Sequence, residues 1–154
     1  MNFRTSILLA AGGSAALLLG ALAFQHFGGL PPCKLCMWQR YPHVAAVGIG
    51  AVAWLTGVGV LALAGAAAAL TTAGIGVYHA GVEWRWWEGP NTCTATGDVG
   101  GMEASELLDQ ILAAPVVRCD EVLWDFLGLS MAGWNAVISL ALAGLWLVAW
   151  RARA

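Results

Sequence analysis

Four cysteines carry the chemistry this chain could do: Cys33 and Cys36, separated by Lys34 and Leu35, and Cys93 and Cys119, which bracket its most charged stretch. Paired thiols form, break and exchange disulfides, and the thiolate is the reacting species. The C-x-x-C spacing allows a tight redox-active disulfide, and Lys34 and Arg40 bring positive charge that favours a thiolate. Pro42 suits the first turn of a helix, which would set Arg40 near that helix's positive end, where an anion is favoured. An anion beside a thiolate at a membrane surface suggests a reduced or partly reduced quinone, with lipid phosphate as the alternative partner of Arg40. Four thiolates could also close around zinc. Residue type alone therefore leaves redox exchange, covalent stapling and metal binding open.

The elements that position these thiols must be membrane helices. The chain has 154 residues, of which 60% are hydrophobic and only 10% charged, with a mean hydropathy of +0.73. That is too little polar surface to coat a water-soluble globule. Residues 5–33, 41–82 and 126–150 contain no Asp, Glu, Lys or Arg, and each block can hold at least one span of roughly 20 residues. As a single helix the middle block would run roughly 60 Å, about twice the hydrocarbon thickness. It must double back, and Gly57, Gly59 and Gly65 place the turn between positions 57 and 65. The expectation is an all-α membrane protein, a single domain over 1–154. Its four-helix bundle has spans at about 6–27, 43–60, 65–82 and 128–150 and cysteine-bearing loops at about 28–42 and 83–127. Gly12, Ala16 and Gly20, at four-residue spacing, are expected to let helices approach closely. Arg4, the apolar run and Ala21-Leu22-Ala23 imitate a cleaved secretory signal, but the run exceeds the usual signal core, so a retained span is expected.

An even number of spans puts both cysteine loops on one side, where the pairs can meet. Arg4, Arg151 and Arg153 near the termini nearly balance Lys34, Arg40, Arg85 and Arg118 in the loops, so the positive-inside rule does not decide the orientation. Paired cysteines persist as disulfides outside the cytosol. The loops are therefore expected outside and both termini in the cytosol. All nine acidic residues lie between Glu83 and Asp125, consistent with a loop in water or at the headgroups. Within it, Met102 to Ala113 reads as a short amphipathic helix. Trp84, Trp86, Trp87, Trp146 and Trp150 read as interfacial belts. His26, His43 and Glu83 are expected at interfaces, and Asn135 to hydrogen-bond between helices.

Pro32-Cys33-Lys34-Leu35-Cys36-Met37-Trp38-Gln39-Arg40, followed by the separated Cys93 and Cys119, resembles the disulfide bond formation protein B (DsbB) family. Tyr78-His79-Ala80-Gly81-Val82-Glu83, Trp86-Trp87, Gly89-Pro90 and Phe126-Leu127-Gly128-Leu129-Ser130-Met131 extend the resemblance over nearly the whole chain. It implies a membrane thiol:quinone oxidoreductase of the bacterial inner membrane, with periplasmic loops, that reoxidises a soluble thioredoxin-fold oxidase of the DsbA type. Cys93 would form the mixed disulfide with that partner, Cys119 would attack Cys33, and Cys36 would be left as the thiolate facing the quinone. Loop movement is expected to bring Cys119 to Cys33. Arg40 matches the family's quinone-site arginine, and His79 is expected to contact the quinone, ubiquinone or menaquinone. Partners are then the oxidase, the membrane quinone pool and the bilayer, with no nucleic acid and no resident metal.

Two other readings compete. A vitamin K epoxide reductase-like enzyme performs related chemistry on four helices, but its C-x-x-C belongs near the last span. A non-enzymatic metal-binding protein would capture metal stoichiometrically and turn over no quinone.

Overall fold

Three of the four long helices begin at a side chain that accepts a hydrogen bond from the free N–H groups of the first turn. In the computed structural model, which describes residues 1–90 and 117–153, Asn2 Oδ1 accepts from Thr5 N at 2.8 Å and opens α1, Phe3–His26. Cys33 Sγ accepts from Cys36 N at 3.2 Å and opens α2, Lys34–Thr56. Gly57, at φ 70°, ends α2 in the left-handed conformation that glycine adopts without penalty. After this turn, α3 runs Leu61–Glu83. Two short antiparallel strands follow, β1 Asp125–Phe126 and β2 Leu129–Ser130, pairing Asp125 with Ser130 and Phe126 with Leu129. Leu127 and Gly128 turn the hairpin with φ of 52° and 79°, as a two-residue loop of primed type requires. Ser130 Oγ then accepts from Gly133 N at 3.2 Å and opens α4, Met131–Arg151.

The four helices form a ring in which α1 packs on α2 and α4, and α3 packs on the same two neighbours. This is the expected four-helix, all-α bundle. Helices α1, α3 and α4 are long and apolar enough to cross a membrane. Helix α2 has the length, but its first half carries Gln39, Arg40 and His43. It starts well ahead of position 43, so Pro42 lies inside the helix instead of in its first turn. The positive helix end therefore falls on the C-x-x-C motif and not on Arg40.

Small residues fill the core: Ala46, Ala53, Ala62, Ala66 and Ala69 surround Ile7, Leu142 and Trp146. Trp146 is fully buried, not interfacial as its place near the end of the chain suggested. A Cβ on Gly65 would lie 2.5 Å from its ring, so the missing side chain on α3 makes the room. The close approach of α1 likewise does not use the Gly12, Ala16, Gly20 stripe. Gly12 and Gly20 have open space where a Cβ would stand, whereas Gly13 meets Leu142.

Polar side chains tie the ring together inside. Asn135 Oδ1 accepts from His43 Nε2 at 2.9 Å, and its amide nitrogen donates to Thr72 Oγ1 at 3.1 Å. Thr72 Oγ1 donates to Gln39 O at 3.0 Å. Asn135 thus bridges helices as expected. His43 is buried and not interfacial, because Asn135 and Ser139 of α4 supply its partners. At the other end of the bundle Arg153 packs on Gly57 and Gly59, so the C-terminal end and the α2–α3 turn lie together, away from the cysteines.

Candidate redox site at the head of α2

The connection from α1 closes with Pro31-Pro32, and α2 begins at once, with Cys33 as its cap and Cys36 in its first turn. The two sulfurs are 2.7 Å apart and both are free thiols. Cys33 is buried; Cys36 is half-buried. The Cys33 thiol is pushed well above the ordinary range, first by its hydrogen bond to Cys36 and then by burial. Cys33 thus keeps its proton and donates it to the Cys36 sulfur, leaving the charge of the pair on Cys36 at the positive end of the helix.

His79 of α3 faces this pair. Gln39 Nε2 donates to Leu35 O at 3.3 Å and to His79 Nδ1 at 2.8 Å. With Nδ1 accepting, the ring proton sits on Nε2. That nitrogen lies 3.5 Å from Cys33 Sγ and 3.9 Å from Glu83 Oε1, and the ring also hydrogen-bonds the Cys119 backbone. Glu83 is half-buried beside His79, its side chain 6% exposed, and it accepts a hydrogen bond from the Ser130 hydroxyl. It lines the same cavity as His79. The signal was its spacing, one helical turn after His79 on the same face of α3.

Arg40 stands one turn beyond Cys36. Its Nη1 donates to Gln25 Oε1 at 2.7 Å and its Nη2 to Ala21 O at 3.5 Å, so the guanidinium is anchored to the end of α1 and lines the same cavity as Cys36. That cavity, about 450 Å³, opens between α1, α2 and α4. Its lining combines polar groups, among them Cys36, Arg40, His43, His79, Glu83 and Asn135, with apolar Leu17 and Ile138 and the aromatic Phe24, Trp124 and Trp134. A planar ligand with polar oxygens and an apolar tail matches this distribution, and the volume lies within the range of small-molecule sites.

Cys119 is buried in one cluster with Cys33, Leu35 and Val82. A second hollow of about 500 Å³ borders Cys119, Trp86, Gly89 and Arg118. Arg118 pairs with Asp120 at 2.6 Å, tying together the residues on either side of Cys119. Of the residues singled out by sequence, Cys33, Cys36, Arg40, His79 and Cys119 thus converge. Cys93 and the segment expected as an amphipathic helix, 102–113, lie outside the described residues.

Residues 3–149 match the family described as "Disulfide bond formation protein DsbB". Among curated relatives, the "Disulfide bond formation protein B" of Methylococcus capsulatus is 35% identical over 156 residues, covering 96% of this chain and 93% of that protein. Its counterpart in a Polaromonas species is 32% identical over 161 residues, covering 97% and 93%. That of Albidiferax ferrireducens is 34% identical over 143 residues, covering 83% and 81%. No solved structure matches the chain.

Proposed function

We propose, from the premise that this chain belongs to the DsbB family of dithiol:quinone oxidoreductases, a specific route by which its cysteines carry electrons in disulfide bond formation. The family reoxidises DsbA for periplasmic disulfide formation, and the chain is a membrane enzyme of that class. The reduced partner, a soluble thioredoxin-fold oxidase of the DsbA type, attacks a Cys93–Cys119 disulfide at Cys93. Cys119 leaves as a thiolate and attacks Cys33 of a Cys33–Cys36 disulfide. The new bond joins Cys33 to Cys119, and the electron pair now rests on Cys36 as a thiolate. The partner's second thiol resolves the mixed disulfide, releasing Cys93. Attack of the Cys93 thiolate on Cys119 breaks the Cys33–Cys119 bond and frees Cys33 as a thiolate. Cys33 and Cys36 close again to a disulfide once their two electrons have been handed to the quinone acceptor that the site would hold.

The observation that carries this route is the position of Cys33, 2.7 Å from the Cys36 sulfur and packed in one buried cluster with Cys119. A single sulfur within reach of both neighbours can exchange one bond for the other without remodelling the bundle. When bound, a membrane quinone supplies the two-electron acceptor, with ubiquinone and menaquinone both fitting the chemistry. The residues that would hold it are Cys36, Arg40 and His79 in the lining of the cavity. Arg40, held by Gln25, places fixed positive charge where negative charge develops on the acceptor's oxygen. His79 offers its Nε2 proton to Cys33, and Gln39 holds the ring in the tautomer that can do so. Such a chain keeps the periplasm oxidising kinetically, through continuous removal of electrons.

Turnover of the purified protein with a reduced DsbA-type partner and a soluble quinone tests the route. Cys36→Ser should abolish quinone reduction, and undiminished turnover in that variant would overturn the assignment. Arg40→Ala should raise the KM for quinone by roughly tenfold or more, the loss of about 1.4 kcal/mol of charge-assisted contact. An unchanged KM would return Arg40 to a purely structural tie between α1 and α2.

A further inference from the structure

We propose that the fully reduced Cys33 and Cys36, together with His79, form a binding site for one thiophilic divalent cation of the zinc type, and that its occupancy shuts the electron route. The cation site itself does not depend on the proposed route; the inhibition does.

Three donor atoms, the two sulfurs and the imidazole nitrogen facing them, lie within 4.8 Å of one another. A tetrahedral zinc with its usual bonds, about 2.3 Å to sulfur and 2.0–2.1 Å to nitrogen, holds S and N roughly 3.5 Å apart. His79 Nε2 and Cys33 Sγ already stand 3.5 Å apart. The two sulfurs, now at 2.7 Å, would part to roughly 3.8 Å in the same geometry, a small side-chain rotation of the half-buried Cys36. Thiolate and imidazole are the soft and borderline donors that zinc and its neighbours prefer. Two thiolates with one divalent ion make a neutral centre, the form that a buried site tolerates. Glu83 Oε1, 3.9 Å from the same nitrogen, is the nearest carboxylate to the fourth position, and the cavity beside Cys36 is the way in.

Binding moves no electrons. The metal displaces to solvent the proton that the pair still holds on Cys33, and the ring proton of His79 shifts from Nε2 to Nδ1. Gln39 then turns its amide over and accepts from Nδ1 through Oε1, the oriented partner that a metal-bound histidine usually has. Leu35 O keeps its helical backbone donor when the amide turns. Redox state gates the site, because a disulfide from Cys33 to either Cys36 or Cys119 removes a ligand. Metal and electron transfer therefore compete for the same sulfurs.

The test uses the full chain in detergent with Cys93→Ser and Cys119→Ser, so that the first pair supplies the only thiols, reduced anaerobically and titrated with Co²⁺. The expected result is one equivalent bound per chain, with thiolate-to-cobalt charge-transfer absorption and tetrahedral d–d bands that Zn²⁺ abolishes. Cys36→Ser should remove the spectrum, His79→Ala should weaken binding by at least about tenfold, and Gln39→Leu by about 10- to 100-fold. The site is overturned if the reduced protein gives no such spectrum or if the oxidised protein gives the same one. Undiminished affinity in His79→Ala also overturns it; should that variant not fold, Gln39→Leu decides in its place. Quinone turnover of metal-free wild type is measured alongside. Turnover without cobalt binding sinks the metal site alone, whereas cobalt binding without turnover sinks the electron route alone.

Discussion

Cys33 is a thiol held in its protonated form by the sulfur beside it and by burial. The sign of its effect on stability follows from that. Its folded pKa is raised, so its contribution is complete below the ordinary thiol value, near 8.5, and is lost as pH rises toward the folded value, because only the unfolded chain releases the proton. The reduced protein should therefore lose thermal stability between about pH 8 and about pH 10. Cys33→Ser, which keeps a capping oxygen but no titrating thiol, should lose less over that window. Equal slopes for the two proteins, measured by thermal unfolding in detergent, would contradict the assignment. At this scale Cys33, Cys36, Cys119 and Arg40, which the fold brings to one end of the bundle, were singled out by type and spacing. Glu83 and His43 were not, because an ionisable residue near the end of an apolar run reads as interfacial unless its partners are known. Those partners, Ser130 for Glu83 and Asn135 for His43, come from α4 and its hairpin, far away in sequence.

Among the elements, α2 departs most from what the sequence suggests, and for a physical reason. Hydropathy marks where a run becomes apolar, whereas a helix starts where a cap is available and the preceding chain is barred from helical geometry. Pro31-Pro32 followed by Cys33 supplies both conditions. Gln39, Arg40 and His43 then lie on a helix inside the bundle, with partners on α3, α1 and α4 in turn. Charge-free blocks did reveal the number of helices and the doubling back at Gly57, since length alone forbids the alternative. They could not reveal which small residues face inward, and Gly65 is the telling case. Its missing Cβ is replaced by the ring of Trp146, so Gly65→Ala should destabilise the bundle by about 1–3 kcal/mol through overpacking. The measurement is a thermal or denaturant midpoint. Gly12→Ala, with open space around it, serves as the control that should move little. Equal loss in both would mean that α3 does not depend on this fit.

For the molecule as a whole, Cys33, Cys36 and Cys119 gather at one end of the ring and the C-terminal residues at the other, against the α2–α3 turn. Orientation in the membrane is thus a single question with a single answer for all these parts. With the cysteine end in the periplasm, as we propose, a cysteine introduced at Glu88 should react with a membrane-impermeant maleimide in intact cells. One introduced at Val58 in the turn should react only after the inner membrane is opened. The reverse pattern would invert the assignment. Native thiols are replaced by serine in both reporters so that the signal belongs to the introduced residue.

Cys33 is at once the relay atom of the proposed route and the cap of α2, since its sulfur accepts the Cys36 amide. Bonding that sulfur to Cys119 turns it away from the amide it caps. Each passage of an electron pair then loosens and retightens the first turn of a membrane helix, and the amide of Cys36 becomes a clock hand for the cycle. Its hydrogen-exchange rate should rise and fall with the oxidation state of the pair.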